Sequence, residues 1–136
     1  MMGIALARCE VPDELVDRLS NRVTHRGDGE PEVQFLYRQR PRVLPVWHHG
    51  RLVIMPWAGW CPLEELESRA WSERRPKQAD IPATYCVDRG IWYQVKEGIR
   101  GVIVQNQVYP ITQPASHYYR VMTRSERMPL LIGESF

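Results

Sequence analysis

Three arginines at alternate positions, Arg38, Arg40 and Arg42, have the spacing in this 136-residue sequence that most directly suggests chemistry. Residues two apart in an extended chain project to one side, so an extended Tyr37 to Val43 would line up three guanidinium groups. Such a row suits an anionic strand, whose phosphates offset the mutual repulsion of the arginines. Trp47, Trp57, Trp60, Trp71 and Trp92 supply flat faces on which bases stack. The same residues equally suit an ordinary polar sheet face over tryptophans buried in a core. Of the 18 basic residues only Lys77 and Lys96 are lysines. An arginine bias favours bidentate contact with phosphate or carboxylate, although GC-rich codon usage produces it too. The net charge of +2 is too small to announce nucleic-acid binding by itself.

The remaining reactive side chains do not assemble into a familiar catalytic pattern. His48 and His49 are adjacent on an expected turn, point in different directions and have no acidic or thiol ligand at suitable spacing, so no metal and no cofactor are expected. Glu64, Glu65 and Glu67 crowd one helix, which usually marks a solvated face. No nucleophile elbow, P-loop, dinucleotide fingerprint or H-E-x-x-H motif occurs. A relocated acid or nucleophile would have to come from Glu67, Glu73 or Cys86, whose spacing does not demand that role. Cys9, Cys61 and Cys86 are far apart and odd in number, which fits free and mostly buried thiols better than a disulfide framework.

The elements that must position these residues read as an α+β, β-rich domain over 1–136: a twisted antiparallel sheet or partly closed barrel with two short helices. Leu15, Leu19 and Val23 share a helical face within Pro12 to Val23, and Asp13 and Glu14 stand in its first turn. Thr24 to Pro31 is a polar loop. Strands are expected at Val33 to Tyr37, Val43 to Trp47 and Arg51 to Met55, the last two forming a hairpin across His48 to Gly50, with Pro45 on an edge. A second helix is expected from Pro62 to Arg74, with Leu63, Leu66 and Ala70 on its buried face. Short strands follow at Thr84 to Val87, Ile91 to Val95, Ile99 to Val104, Val108 to Thr112, His117 to Met122 and Leu130 to Ile132. The first residues are apolar only as far as Arg8, so neither a signal peptide nor a spanning helix is expected, and the cytoplasm is the expected compartment.

Several segments in order carry a resemblance. Met1 to Leu6 matches an M-C-G-R-F start and Pro12 to Leu15 a P-x-E-L helix. Arg42 to Val46 and Leu52 to Trp57 lead to Trp57, Gly59 and Pro62, matching W-G-L-x-P. Ser68-Arg69-Ala70 stands where N-A-R-A-E-T would be, Trp92 to Lys96 where F-Y-E-W-K would be, and Ser125 to Leu130 where H-D-R-M-P-V would be. So ordered, they resemble the SOS-response-associated peptidase (SRAP) family of abasic-site DNA–protein crosslinkers. The resemblance implies an SRAP-like fold and a nucleophilic N-terminal cysteine exposed by Met removal, but here the second residue is Met2, whose thioether cannot form the thiazolidine ring. The family's Asn falls on Glu67 or Ser68, its Glu on Gln94 and its His on Ser125, so every reactive position differs. The chain also lacks the family's C-terminal segment and is shortened before Tyr85.

The resulting expectation is a non-catalytic SRAP-like module that binds single-stranded or damaged DNA through Arg38, Arg40, Arg42, Arg69 and Arg127, with Trp57 or Trp60 as a stacking surface. Met2, Glu67, Ser68, Gln94 and Ser125 would be vestigial positions. The alternative is a phage- or mobile-element-type adaptor or inhibitor that engages a protein partner, given the abundance of Trp and Arg.

Overall fold

The structure, a computed structural model, describes residues 1–25 and 29–133; the expected loop from Thr24 to Pro31 lies partly outside the described residues. In chain order the elements are β1 (Gly3–Ala7), α1 (Asp13–Val16), β2 (Val23–Thr24), β3 (Glu32–Leu36), β4 (Val43–His48), β5 (Arg51–Pro56), β6 (Cys61–Pro62), α2 (Arg69–Ser72), β7 (Lys77–Pro82), β8 (Tyr85–Asp88), β9 (Ile91–Gln94), β10 (Gly98–Val104), β11 (Gln107–Pro114), α3 (His117–Thr123) and β12 (Arg127–Pro129). The chain is α+β and β-rich, as expected. Its strands nevertheless split into two sheets, and neither closes into a barrel. One runs β2-β3-β1-β8-β9 and the other β12-β11-β10-β7-β4-β5, with β6 pairing β11 in parallel.

Period-two alternation decides what each sheet buries. Ile4, Leu6, Val33 and Phe35 of the first sheet meet Leu44, Val46, Ile81, Ile99 and Val108 of the second in one core. On β10, Ile99 and Ile103 face that core, while Val102 and Val104 join Cys61, Trp71 and Ile111 in a smaller cluster on the opposite face. Tight hairpins fix the registers. His49–Gly50, Arg89–Gly90 and Gln105–Asn106 all have positive φ at both central positions, the backbone twist that joins antiparallel strands through two residues.

Five sequence expectations change here. The first helix is α only over Asp13–Val16 and continues as a 3-10 helix to Arg22, although Leu15, Val16 and Leu19 are buried as its periodicity implies. The second splits into a 3-10 turn at Leu63–Glu65 and α2, because Ser68 restarts the helix by accepting from the Trp71 N–H; Trp71 is buried, while Leu63 and Ala70 are exposed. His117 to Met122 is not a strand but the body of α3. Ser116 caps it, accepting from the Tyr119 N–H at 3.1 Å, and Arg124 ends it in the left-handed region. Pro45 is fully buried and β4 lies inside its sheet. The β4–β7 ladder is reduced to the pair Trp47 and Asp80, since Pro45 and Pro82 have no N–H with which to extend it. At the C-terminal end the strand is Arg127–Pro129, and Leu131 makes only an isolated bridge to Ile99. Among the described residues no helix is long and apolar enough to cross a membrane.

Candidate functional site

Registers across the first sheet place Phe35, Ile4, Cys86 and Tyr93 in one row, and directly opposed residues share a face. The next row toward the N-terminal end holds Tyr37, Met2, Asp88 and Ile91. There the Tyr37 N–H donates to the Met2 carbonyl at 2.9 Å, the Met2 N–H donates to Val87 at 2.8 Å, and Asp88 opposes Ile91. Asp88 is buried. Its Oδ2 accepts from the Tyr119 hydroxyl at 2.7 Å and lies 3.1 Å from the Met1 α-ammonium. The Tyr119 and Tyr93 hydroxyls are 2.9 Å apart. Burial pushes both phenols up, and it pushes the Cys86 thiol up to about 12. All three keep their protons at neutral pH, and the network anchors α3 and Met1 to the sheet.

Beside that row stands an aromatic cluster. Tyr37 lies 5.0 Å from Trp57 and 4.5 Å from Trp60 between ring centroids, and the two indoles are 5.6 Å apart. The Arg42 guanidinium sits 4.0 Å over the Tyr37 ring, and its Nε donates to the Tyr37 carbonyl at 2.7 Å. Tyr37 to Pro41 is a turn, not a strand, so the three arginines do not form an extended row. The cause is long-range. Arg22 is buried beneath the turn and donates to the Gln39 side chain at 2.8 Å and to the Pro41 carbonyl, while Gln39 Oε1 also accepts from the Leu36 N–H at 3.0 Å. Arg38 and Arg40 project from the turn, exposed, and make no hydrogen bond or ion pair among the described residues. Trp57 is buried, with its indole N–H donating to Gly59, and is not a free stacking face. Trp60 is half-buried, and its indole nitrogen has no hydrogen-bond partner among the described residues.

Met2, Arg38, Arg40, Arg42, Trp57 and Trp60 therefore gather at one end of the first sheet, and the other candidates do not join them. Arg127 is held by Glu64, with one bond at 2.9 Å, and by the Thr112 carbonyl and hydroxyl. The Arg127 guanidinium holds the Glu64 carboxyl down to about 2. Arg69 pairs with Glu73 one helical turn away. Glu67 is exposed and Ser68 caps α2, which packs through Trp71 on the far face of the second sheet. Gln94 opposes Tyr85, which opposes Ala5, roughly 10 Å along the strands from the Met2 row, and it lines a separate groove. Ser125 is buried two residues past the end of α3. Among the described residues Met2, Ser68 and Gln94 do not line one groove together. Asp88, Tyr93, Tyr119, Tyr37 and Arg22 are the residues that sequence reasoning missed; Arg22 carries no signal that sets it apart from Arg18 in the same amphipathic segment. Among the described residues no group of His, Cys, Asp and Glu is arranged to hold a metal ion.

Comparison with family models, with curated proteins and with solved structures finds no match for this chain. The likeness to SOS-response-associated peptidases thus rests on the ordered motifs alone.

Proposed function

We propose that this chain is a non-catalytic binding module that takes single-stranded or damaged DNA on the 37–42 turn and the aromatic cluster behind it. The observation that carries this reading is the pairing of exposed Arg38 and Arg40, which form no ion pair among the described residues, with the half-buried rings of Tyr37 and Trp60. Phosphates would lie against the two guanidinium groups and a base against Trp60, the combination that sequence-tolerant single-strand binders use. Arg42, already committed to Tyr37, would position that ring. Met2 at the same end cannot form the ring that an N-terminal cysteine forms with an aldehyde, which supports binding without covalent chemistry.

Fluorescence anisotropy with a labelled single-stranded oligonucleotide tests the reading. Two phosphate contacts would weaken binding roughly sevenfold between about 50 and 200 mM salt. The Arg38→Gln/Arg40→Gln variant should lower the salt slope by about 1.4. Absence of binding at low salt, or binding that the double variant leaves unchanged, would overturn it. Incubation with abasic-site DNA followed by denaturing electrophoresis is expected to show no adduct.

A protein-interaction role is the second reading. It is favoured by α3, whose Tyr118 and Val121 are 63% and 68% exposed. One partner recovered from nuclease-treated lysate by the parent chain, and lost with Tyr118→Ala/Val121→Ala, would support it over DNA binding.

A further inference from the structure

Like Arg42, Arg74 is seated on aromatic rings. Its guanidinium lies 4.4 Å over the Trp71 ring and 4.9 Å over the Tyr109 ring, and its Nη2 donates to the Tyr109 hydroxyl at 2.6 Å. The two rings meet edge to face, 5.2 Å apart between centroids, and Trp71 is buried in the outer cluster. Arg74 is nevertheless exposed and forms no ion pair among the described residues. Residues 69–77 carry four cations and one carboxylate, and that carboxylate, Glu73, is held by Arg69. Arg75, next along the chain, is exposed and also forms no ion pair among the described residues.

This corner lies close to the surface proposed above. The Ala58 N–H donates to the Val108 carbonyl at 3.1 Å and Cys61 stands opposite Ile111, so residues 58–61 run along β11 beside Tyr109. A Cβ on Gly59 would lie 3.8 Å from the Tyr109 ring, and the next residue, Trp60, lies 4.5 Å from Tyr37 between ring centroids. The Arg74 guanidinium is therefore within roughly 15 Å of the Trp60 backbone. The two residues at this crossing, Ala58 exposed and Gly59 half-buried, carry no bulky side chain.

We propose that a single DNA strand seated on the 37–42 turn continues over Ala58 and Gly59 to a second anchor, where Arg74 and Arg75 each meet a phosphate. Contact with Trp71 and Tyr109 already orders the Arg74 side chain, so little of its freedom is lost on binding. The extension rests on the nucleic-acid reading of the turn and adds a length requirement to it, since a strand must be long enough to reach both anchors.

The test is fluorescence anisotropy with labelled oligothymidylates of about four and about twelve nucleotides, titrated between about 50 and 200 mM salt. The short strand spans one anchor and should lose about sevenfold in affinity over that range; the long strand, with two further phosphates engaged, should lose about fiftyfold. Arg74→Gln/Arg75→Gln should return the long strand to about sevenfold and leave the short one unchanged. Because Arg74 also joins Trp71 to Tyr109, Arg75→Gln alone is the second variant. It removes no ion pair among the described residues and should bring the long strand to about twentyfold. Equal salt dependence for the two strands, or a long strand that neither variant affects, would overturn the second anchor and leave the turn in place. Long-strand binding that Arg38→Gln/Arg40→Gln leaves unchanged would overturn the continuous track in favour of a site at Arg74 alone. Failure of both strands to bind at low salt would overturn the reading of the turn, and the track with it.

Discussion

Asp88 is a carboxylate enclosed by its own fold, and its neighbours determine what its loss would do. The Tyr119 hydroxyl and the Met1 α-ammonium both contact Oδ2. Removing one partner of a buried charged group leaves an uncompensated desolvation cost. Tyr119→Phe keeps the ring against Tyr93 and deletes only the donor, so it should lower stability by about 1–3 kcal/mol, read as a lower urea midpoint at unchanged slope. An unchanged midpoint would mean that Asp88 does not need the phenol. The thiols divide in the same way. Burial holds Cys86 near 12 and Cys61 near 11, whereas Cys9 is exposed, with its thiol pushed up mainly by its hydrogen bond with Glu30. A disulfide reagent at mildly alkaline pH should therefore label Cys9 alone in the folded chain and all three cysteines after denaturation. The sequence supports the expectation of free, mostly buried thiols, but it reads Asp88 as an ordinary turn residue. What buries Asp88 is α3, which arrives about thirty residues later, and no local pattern around Asp88-Arg89-Gly90 announces it.

Among the elements, the expectations that held and those that failed differ in the range of the forces involved. The hairpins were legible because Asp88-Arg89-Gly90 and His48-His49-Gly50 carry their turn chemistry within a few residues. α3 was not legible as a helix, because Tyr118, Tyr119 and Val121 favour strands and only the Ser116 cap argued otherwise. Ser116→Ala should therefore cost about 1 kcal/mol, seen as a lower thermal midpoint. The arginine turn was misread because its alternation is local while its cause, Arg22 reaching Gln39 and Pro41, is not. The tie between β12 and the turn after β6 depends on Arg127 and Glu64. Because Glu64 titrates near 2 in the folded chain, below its ordinary value of 4.5, its contribution is present above about pH 4.5 and is lost as the pH falls toward 2. Between those limits the thermal midpoint of the parent chain should fall more steeply than that of Glu64→Gln; parallel curves would show that the pair contributes nothing.

At the scale of the whole molecule, the two sheets share one core and are stitched together by connections of a few residues, so their stabilities should not be separable. Gly98 stands at one of those connections, opposite Pro82 in the β10–β7 register. Its φ of +136° is a conformation that side chains rarely adopt, and a Cβ there would lie 2.2 Å from the Ile81 carbonyl oxygen and 2.9 Å from the Pro82 Cα. Both neighbours are backbone, so relief requires β7 to move away from β10, carrying with it the Ile81 side chain that fills the core. Gly98→Ala should cost about 3 kcal/mol or more, a large part of the roughly 5–15 kcal/mol that a domain of this size has. If the sheets form one cooperative unit, the loss should lower the tryptophan-fluorescence and far-ultraviolet dichroism transitions together. Trp57 reports from the main core and Trp71 from the outer cluster, so a fluorescence transition that splits from the dichroism in the variant would show the outer layer melting independently. A variant as stable as the parent would rule out the close approach of β7 to β10 at this position.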